Sequence, residues 1–158
     1  MSTRRQINRL SLAAITLAAA AAVVTISGCG MMKGGSSSNM VALSTQMRAA
    51  NEVPPNSSTG NGSVDAVLNK DTNQLRWKVN YSGLSGPATA AHFHGPAAAG
   101  GNAGVVLPWP GPVTSPMEGS ATLTPAQAAD LMAGKWYANI HTAANPGGEL
   151  RGQMMVRN

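Results

Sequence analysis

Charge and aromatic surface are both scarce in this chain. Charged residues make up 11% and aromatic ones 4%, and there is one phenylalanine and one cysteine. A lone cysteine, Cys29, excludes an internal disulfide and any site built from several thiolates. The net charge of +5 overstates the basic character, because Arg4, Arg5 and Arg9 lie at the extreme N-terminus and the remainder holds 8 Lys and Arg against 6 Asp and Glu. No basic run with interleaved aromatics occurs, so a nucleic-acid partner is not expected. No serine stands in a Gly-x-Ser-x-Gly elbow, and no carboxylate pair has an acid/base setting. These absences argue against an ordinary hydrolase and for a non-catalytic protein.

The N-terminus reads as a targeting segment. Arg4, Arg5 and Arg9 precede an uncharged, alanine-rich run from Leu10 to Ile26, slightly short for a membrane span. The run ends in Ile26-Ser27-Gly28-Cys29, which resembles a bacterial lipobox, whose cysteine is lipidated and becomes the first residue after cleavage. Residues 1–28 are thus expected to be a lipoprotein signal peptide, with Cys29 the lipidated residue. Thr3-Arg4-Arg5-Gln6-Ile7 has a partial likeness to a twin-arginine signal, so either export route is open. Residues 29–39, with Gly-Gly-Ser-Ser-Ser, form a flexible tether. Two or three acyl chains, at about 0.8 kcal/mol per buried methylene, anchor a domain durably to a bilayer. Gly30 is not the Asp that resembles an inner-membrane retention signal, so a lipid-anchored place in the cell envelope, at the outer membrane, is expected.

Residues 40–158 suffice for one domain. Leu75, Trp77, Val79 and Tyr81 alternate with Arg76, Lys78, Asn80 and Ser82, the pattern of a half-buried strand. Weaker alternation or short apolar runs predict strands at 41–49, 60–68, 88–94, 105–107, 119–123, 136–141 and 149–156, separated by Gly, Pro and Asn turns. Thr124-Pro125-Ala126-Gln127 is a capping box with proline in the first turn, and Gly134 ends the one helix it begins. Roughly eight short strands and one short helix predict an all-β antiparallel sandwich or barrel.

The chain has three histidines: His92 and His94 in Ala-His-Phe-His-Gly-Pro, and His141 in Asn-Ile-His-Thr. A strand directs both imidazoles of a His-x-His pair to one side, about 7 Å apart at Cα, and a third from a neighbouring strand completes a three-nitrogen set. If Phe93 and Ile140 face the core, all three imidazoles leave it on the outer side. Such a set suits copper, with zinc as the alternative, and Met117, Met154 and Met155 are possible thioether donors to Cu(I). Glu149 is a possible partner for an imidazole N–H. The competing reading is a structural histidine cluster that pins the loop after Gly95. Glu149 and Arg151, at i and i+2, are expected to form a cross-strand ion pair, with each other or with neighbours. Glu52 is expected to accept backbone or Arg donors, Asn139 to bond backbone groups, and Trp109 to cover one end of the fold.

Asn51-Glu52-Val53-Pro54-Pro55, Ala91 to Pro96, Leu123-Thr124, Leu131 with Ala133-Gly134, Tyr137 to Thr142 and Gly148 to Gln153 follow one another in an order that resembles the CHRD domain, named from chordin and found in many bacterial secreted proteins. The resemblance implies an immunoglobulin-like or superoxide-dismutase-like β-sandwich and implies little about activity. The cysteine-rich modules of animal chordin have no counterpart here, so growth-factor antagonism is not carried over. The histidine spacing also resembles the copper ligation of Cu/Zn superoxide dismutases, but the fourth copper histidine, the zinc set and the disulfide are missing. The leading expectation is a lipid-anchored envelope module that buffers or delivers copper through His92, His94 and His141. The alternatives are an adhesion or scaffolding module with an envelope protein partner, whose contacts lie around Trp109 and Gly95 to Gly104, and, less favoured, a dismutase-like redox metalloenzyme.

Overall fold

The computed structural model describes residues 39–157. The signal-peptide segment, Cys29 and most of the tether lie outside the described residues. Nine strands form a single antiparallel sheet: β1 (Met40–Arg48), β2 (Asn61–Asn69), β3 (Gln74–Ser82), β4 (Ala88–His94), β5 (Val105–Pro108), β6 (Met117–Thr122), β7 (Tyr137–Thr142), β8 (Leu150–Gln153) and β9 (Met155–Val156). The spatial order is β5-β4-β7-β8-β1-β2-β3-β6, with β9 paired to β1 beside β8. This is the all-β class with one short helix that the alternation predicts. The sheet curls into a half-barrel whose two halves face each other across one core.

The core is made by the inward positions of each strand. Leu43 and Met47 of β1, Val64 and Leu68 of β2, Leu75, Trp77 and Val79 of β3, and Phe93 of β4 are all buried. Aromatic edges tie the halves together: Phe93 meets Trp77 at 5.4 Å and 83°, and Trp109 at 5.0 Å. Such edge contacts add about 0.5–1.5 kcal/mol each beyond area burial. Trp109 is buried and covers one end of the core, as its Pro-rich loop suggests.

Helix α1 (Pro125–Met132) opens on the expected capping box: Thr124 Oγ1 accepts from Gln127 N, and Gln127 Oε1 accepts from Thr124 N. It buries Ala128 and Leu131. Among the described residues no helix is long and apolar enough to cross a membrane. The single strand expected at 149–156 is in fact two, because Met154 turns its side chain into the core and donates its N–H to Trp136 O between them.

Strands β7 and β8 are covered on both faces. Ala138 and Ile140 point into the core, yet Tyr137 and Asn139, on the opposite face, are buried too. Residues 95–104 and the 3-10 turn Ala49–Asn51 with its continuation fold over that outer face, creating a second, polar layer. Register places Arg48, Arg151, Asn139 and His92 in one row across β1, β8, β7 and β4. The histidines belong to this layer.

Candidate metal centre

Strand alternation sends His92 and His94 out of the sheet on the side opposite Phe93, and His141 leaves β7 on that same side. The centroids of the His92 and His94 rings are 5.5 Å apart, those of His92 and His141 5.0 Å, and those of His94 and His141 6.1 Å. One ring nitrogen from each residue falls within 4.8 Å of the other two. The three imidazoles converge as the sequence predicts.

Hydrogen bonds fix which nitrogens carry protons. His94 Nδ1 lies 3.0 Å from Ala103 O and His141 Nδ1 lies 3.0 Å from Pro146 O. A carbonyl only accepts, so both Nδ1 atoms are protonated and both Nε2 atoms carry lone pairs. His141 Nε2 accepts a hydrogen bond from His92 Nδ1–H at 3.2 Å. His94 Nε2 is buried and has no hydrogen-bond partner among the described residues. A desolvated lone pair in a cluster of three imidazoles is the feature a cation would satisfy.

Burial lowers the pKa of all three imidazoles below the ordinary 6.5. Repulsion from His141 and His94 adds to this at His92, while the Ala103 and Pro146 carbonyls oppose it at His94 and His141. Neutral rings are the form that ligates metals.

The rings are held from behind. Tyr137 stacks on His94 at 4.8 Å and 3°, and its hydroxyl donates to Ala103 O and accepts from Ala103 N, both at 3.2 Å. The Arg151 guanidinium carbon lies 3.5 Å over the other face of Tyr137. Gly95, directly after His94, packs so tightly that a Cβ there would stand 2.6 Å from Trp136 Cδ1. The His-Gly-Pro sequence therefore needs glycine for a close approach.

Several sequence expectations are corrected. Glu149 does not orient an imidazole, because backbone carbonyls fill that role. Its carboxylate accepts from Ser58 Oγ (2.6 Å), Ser85 N (2.7 Å), Ser85 Oγ (2.6 Å), Thr142 Oγ1 (2.5 Å) and Asn145 Nδ2 (3.1 Å). Its pKa is lowered to about 2: burial raises it, and these hydrogen bonds outweigh the burial. The knot secures the turn that carries Pro146 and so supports His141 indirectly. Glu149 and Arg151 form no ion pair, since the guanidinium turns instead to Asn102 Oδ1, Gly101 O and the Tyr137 ring. Glu52 accepts from the Val53 backbone, as expected, and from Asn139 Nδ2 with both oxygens, at 3.0 and 3.2 Å, in place of an arginine. Its pKa is raised to about 7 by burial, against the pull of Arg151 and the Asn139 bond. Met117 and Met154 bury their side chains in the core, away from the imidazole face.

Tyr137, Ala103, Pro146, Ser58, Ser85 and Asn145 were not singled out by sequence reasoning. Only Tyr137 carries a signal for it, the alternation that places it on the His141 face.

Among curated proteins and among solved structures none matches this chain. The CHRD domain model matches residues 43–154, spanning every motif from β1 to the end of β8 and including all three histidines. The chain belongs to the CHRD domain family.

Proposed function

We propose that this protein is a non-catalytic metal-binding module that holds one transition-metal ion on His92, His94 and His141, with copper as the preferred ion and zinc as the alternative. The observation that carries the reading is the buried, partnerless Nε2 of His94 in a cluster whose three rings each bring one nitrogen within 4.8 Å of the others. The 3.2 Å between His92 Nδ1 and His141 Nε2 is close to the edge of a tetrahedron with bonds of 2.0–2.1 Å, about 3.3 Å. The other separations, within 4.8 Å, need to close by at most about 1.5 Å to reach that edge. Three imidazoles favour copper over zinc by the general order of divalent affinities. Backbone acceptors on two of the Nδ1–H groups supply the outer contacts that metal-bound histidines use.

In this reading the module is anchored through lipid on Cys29 and buffers or delivers its ion in the cell envelope, at the outer membrane. Strand β1 begins at Met40, eight residues and about 26 Å of strand before the Arg48 row that includes His92. Elemental analysis of protein purified without a histidine tag tests the metal: about one equivalent bound, lost in His92→Ala, is the expected result. No uptake at micromolar metal removes the proposal. Cys29→Ser releasing the protein from membranes tests the anchor separately.

A further inference from the structure

Beside the histidine layer, one cavity is bordered by a buried cation and a buried carboxylate that form no ion pair and by a buried amide oxygen with no donor. The cavity measures about 330 Å³ and is lined by Asn51, Glu52, Val53, Ala99, Arg151 and Gln153, among others. Arg151 is 2% exposed, yet its guanidinium meets only neutral groups: Asn102 Oδ1 at 2.8 Å, Gly101 O and the face of Tyr137. No carboxylate lies within ion-pair reach of it among the described residues. Glu52 is 6% exposed and takes one side-chain donor, Asn139. Gln153 gives its Nε2 protons to Ala97 O and Gly134 O, while its Oε1 is buried without a donor.

Arg151 and Glu52 feel each other's charge without touching, so each is only partly compensated, and under-compensated buried charges are costly. A simple anion in the cavity would suit Arg151 but be repelled by Glu52. A simple amine would suit Glu52 but be repelled by Arg151. One molecule with both charges relieves both, and its ammonium has a further acceptor in Gln153. The volume admits about ten water-sized groups, enough for a small amino acid and too little for a folded peptide segment.

We propose that this cavity binds a small zwitterion of the α-amino-acid class, with the carboxylate on Arg151 and the ammonium between Glu52 and Gln153 Oε1. The site uses none of the three histidines, though Arg151 also packs on the Tyr137 ring that backs His94. Burial holds the Glu52 carboxyl up at about 7, a cost that an adjacent ammonium offsets.

Titration calorimetry of the full-length protein in excess EDTA, so that metal-bound amino acid plays no part, decides the matter. Glycine, L-alanine and L-serine are the probes, with N-acetylglycine and glycine methyl ester as singly charged controls. At least one amino acid should bind with Kd of about 1 mM or tighter, and the blocked forms at least about tenfold more weakly. Glu52→Gln should weaken the amino acid at least about tenfold. Ala99→Leu, at an exposed loop position, should narrow the cavity and abolish binding with an unchanged melting temperature. Absence of heat with all three amino acids, equal binding of the blocked forms, or wild-type affinity in Ala99→Leu would each overturn the proposal. Should Glu52→Gln not fold, the Ala99→Leu result stands on its own.

Discussion

His92 Nδ1 donates to His141 Nε2 across 3.2 Å, joining residues 49 positions apart in the chain. A metal at this place displaces that proton, so ion and hydrogen bond exclude each other. His141→Ala removes one of three nitrogens and should weaken copper or zinc binding at least about 100-fold, as competition with a chromogenic chelator would measure. Since all three rings are only half-buried, the substitution should cost about 1 kcal/mol or less in urea unfolding.

Metal uptake should fall with acid. All three imidazoles have pKa values lowered beneath 6.5, so they are neutral at pH 7 and compete for protons only below 6.5. Affinity should be level from pH 7 to 8 and drop as pH falls through the depressed values, releasing the ion. Retention of metal through pH 4 would contradict a histidine site.

Tyr137→Phe keeps the stack on His94 but loses the hydroxyl that bridges Ala103 N and O. Metal affinity should fall about tenfold with modest loss of stability, roughly 1 kcal/mol. Tyr137→Ala, which also strips the stack from His94 and Arg151, should cost about 3 kcal/mol or more in chemical denaturation.

The Glu149 knot makes the fold acid-sensitive. Its folded pKa of about 2 lies below the ordinary 4.5, so the stabilisation is complete above 4.5 and is lost as pH falls toward 2. Glu149→Gln should lower stability at pH 7 by about 2 kcal/mol, flatten this acid limb and loosen the turn of His141.

Glu52 has the opposite sign. Its carboxyl is raised from 4.5 to about 7, so the folded state binds the extra proton and stability declines as pH rises across that window. Glu52→Gln should therefore raise the melting temperature at pH 8 and leave it little changed at pH 4.

Much of this was legible before any coordinates. Alternation in 75–82 located β3, and the same rule placed Phe93 inward and His92, His94 and His141 outward. Thr124 and Gln127 announced the helix because capping is local chemistry. The acceptors that orient the imidazoles were not legible, because Ala103 and Pro146 act through backbone oxygens that any residue has. Nor were the donors to Glu149, since Ser58 and Ser85 reach it across 91 and 64 positions. Glu149 and Arg151 looked like an ion pair because adjacency on one strand was assumed. The guanidinium turns instead to Asn102 Oδ1, Gly101 O and the Tyr137 ring, and each charge is buried in a separate network.

The pairing of β4 with β7 has a consequence for when selectivity arises. An unfolded chain offers a lone His-x-His pair with freely rotating rings, and its third imidazole is a distant loop end. If the three histidines hold an ion as proposed, discrimination among ions begins only once the sheet has zipped, and the compartment where the polypeptide folds, rather than where it is synthesised, decides which ion it meets.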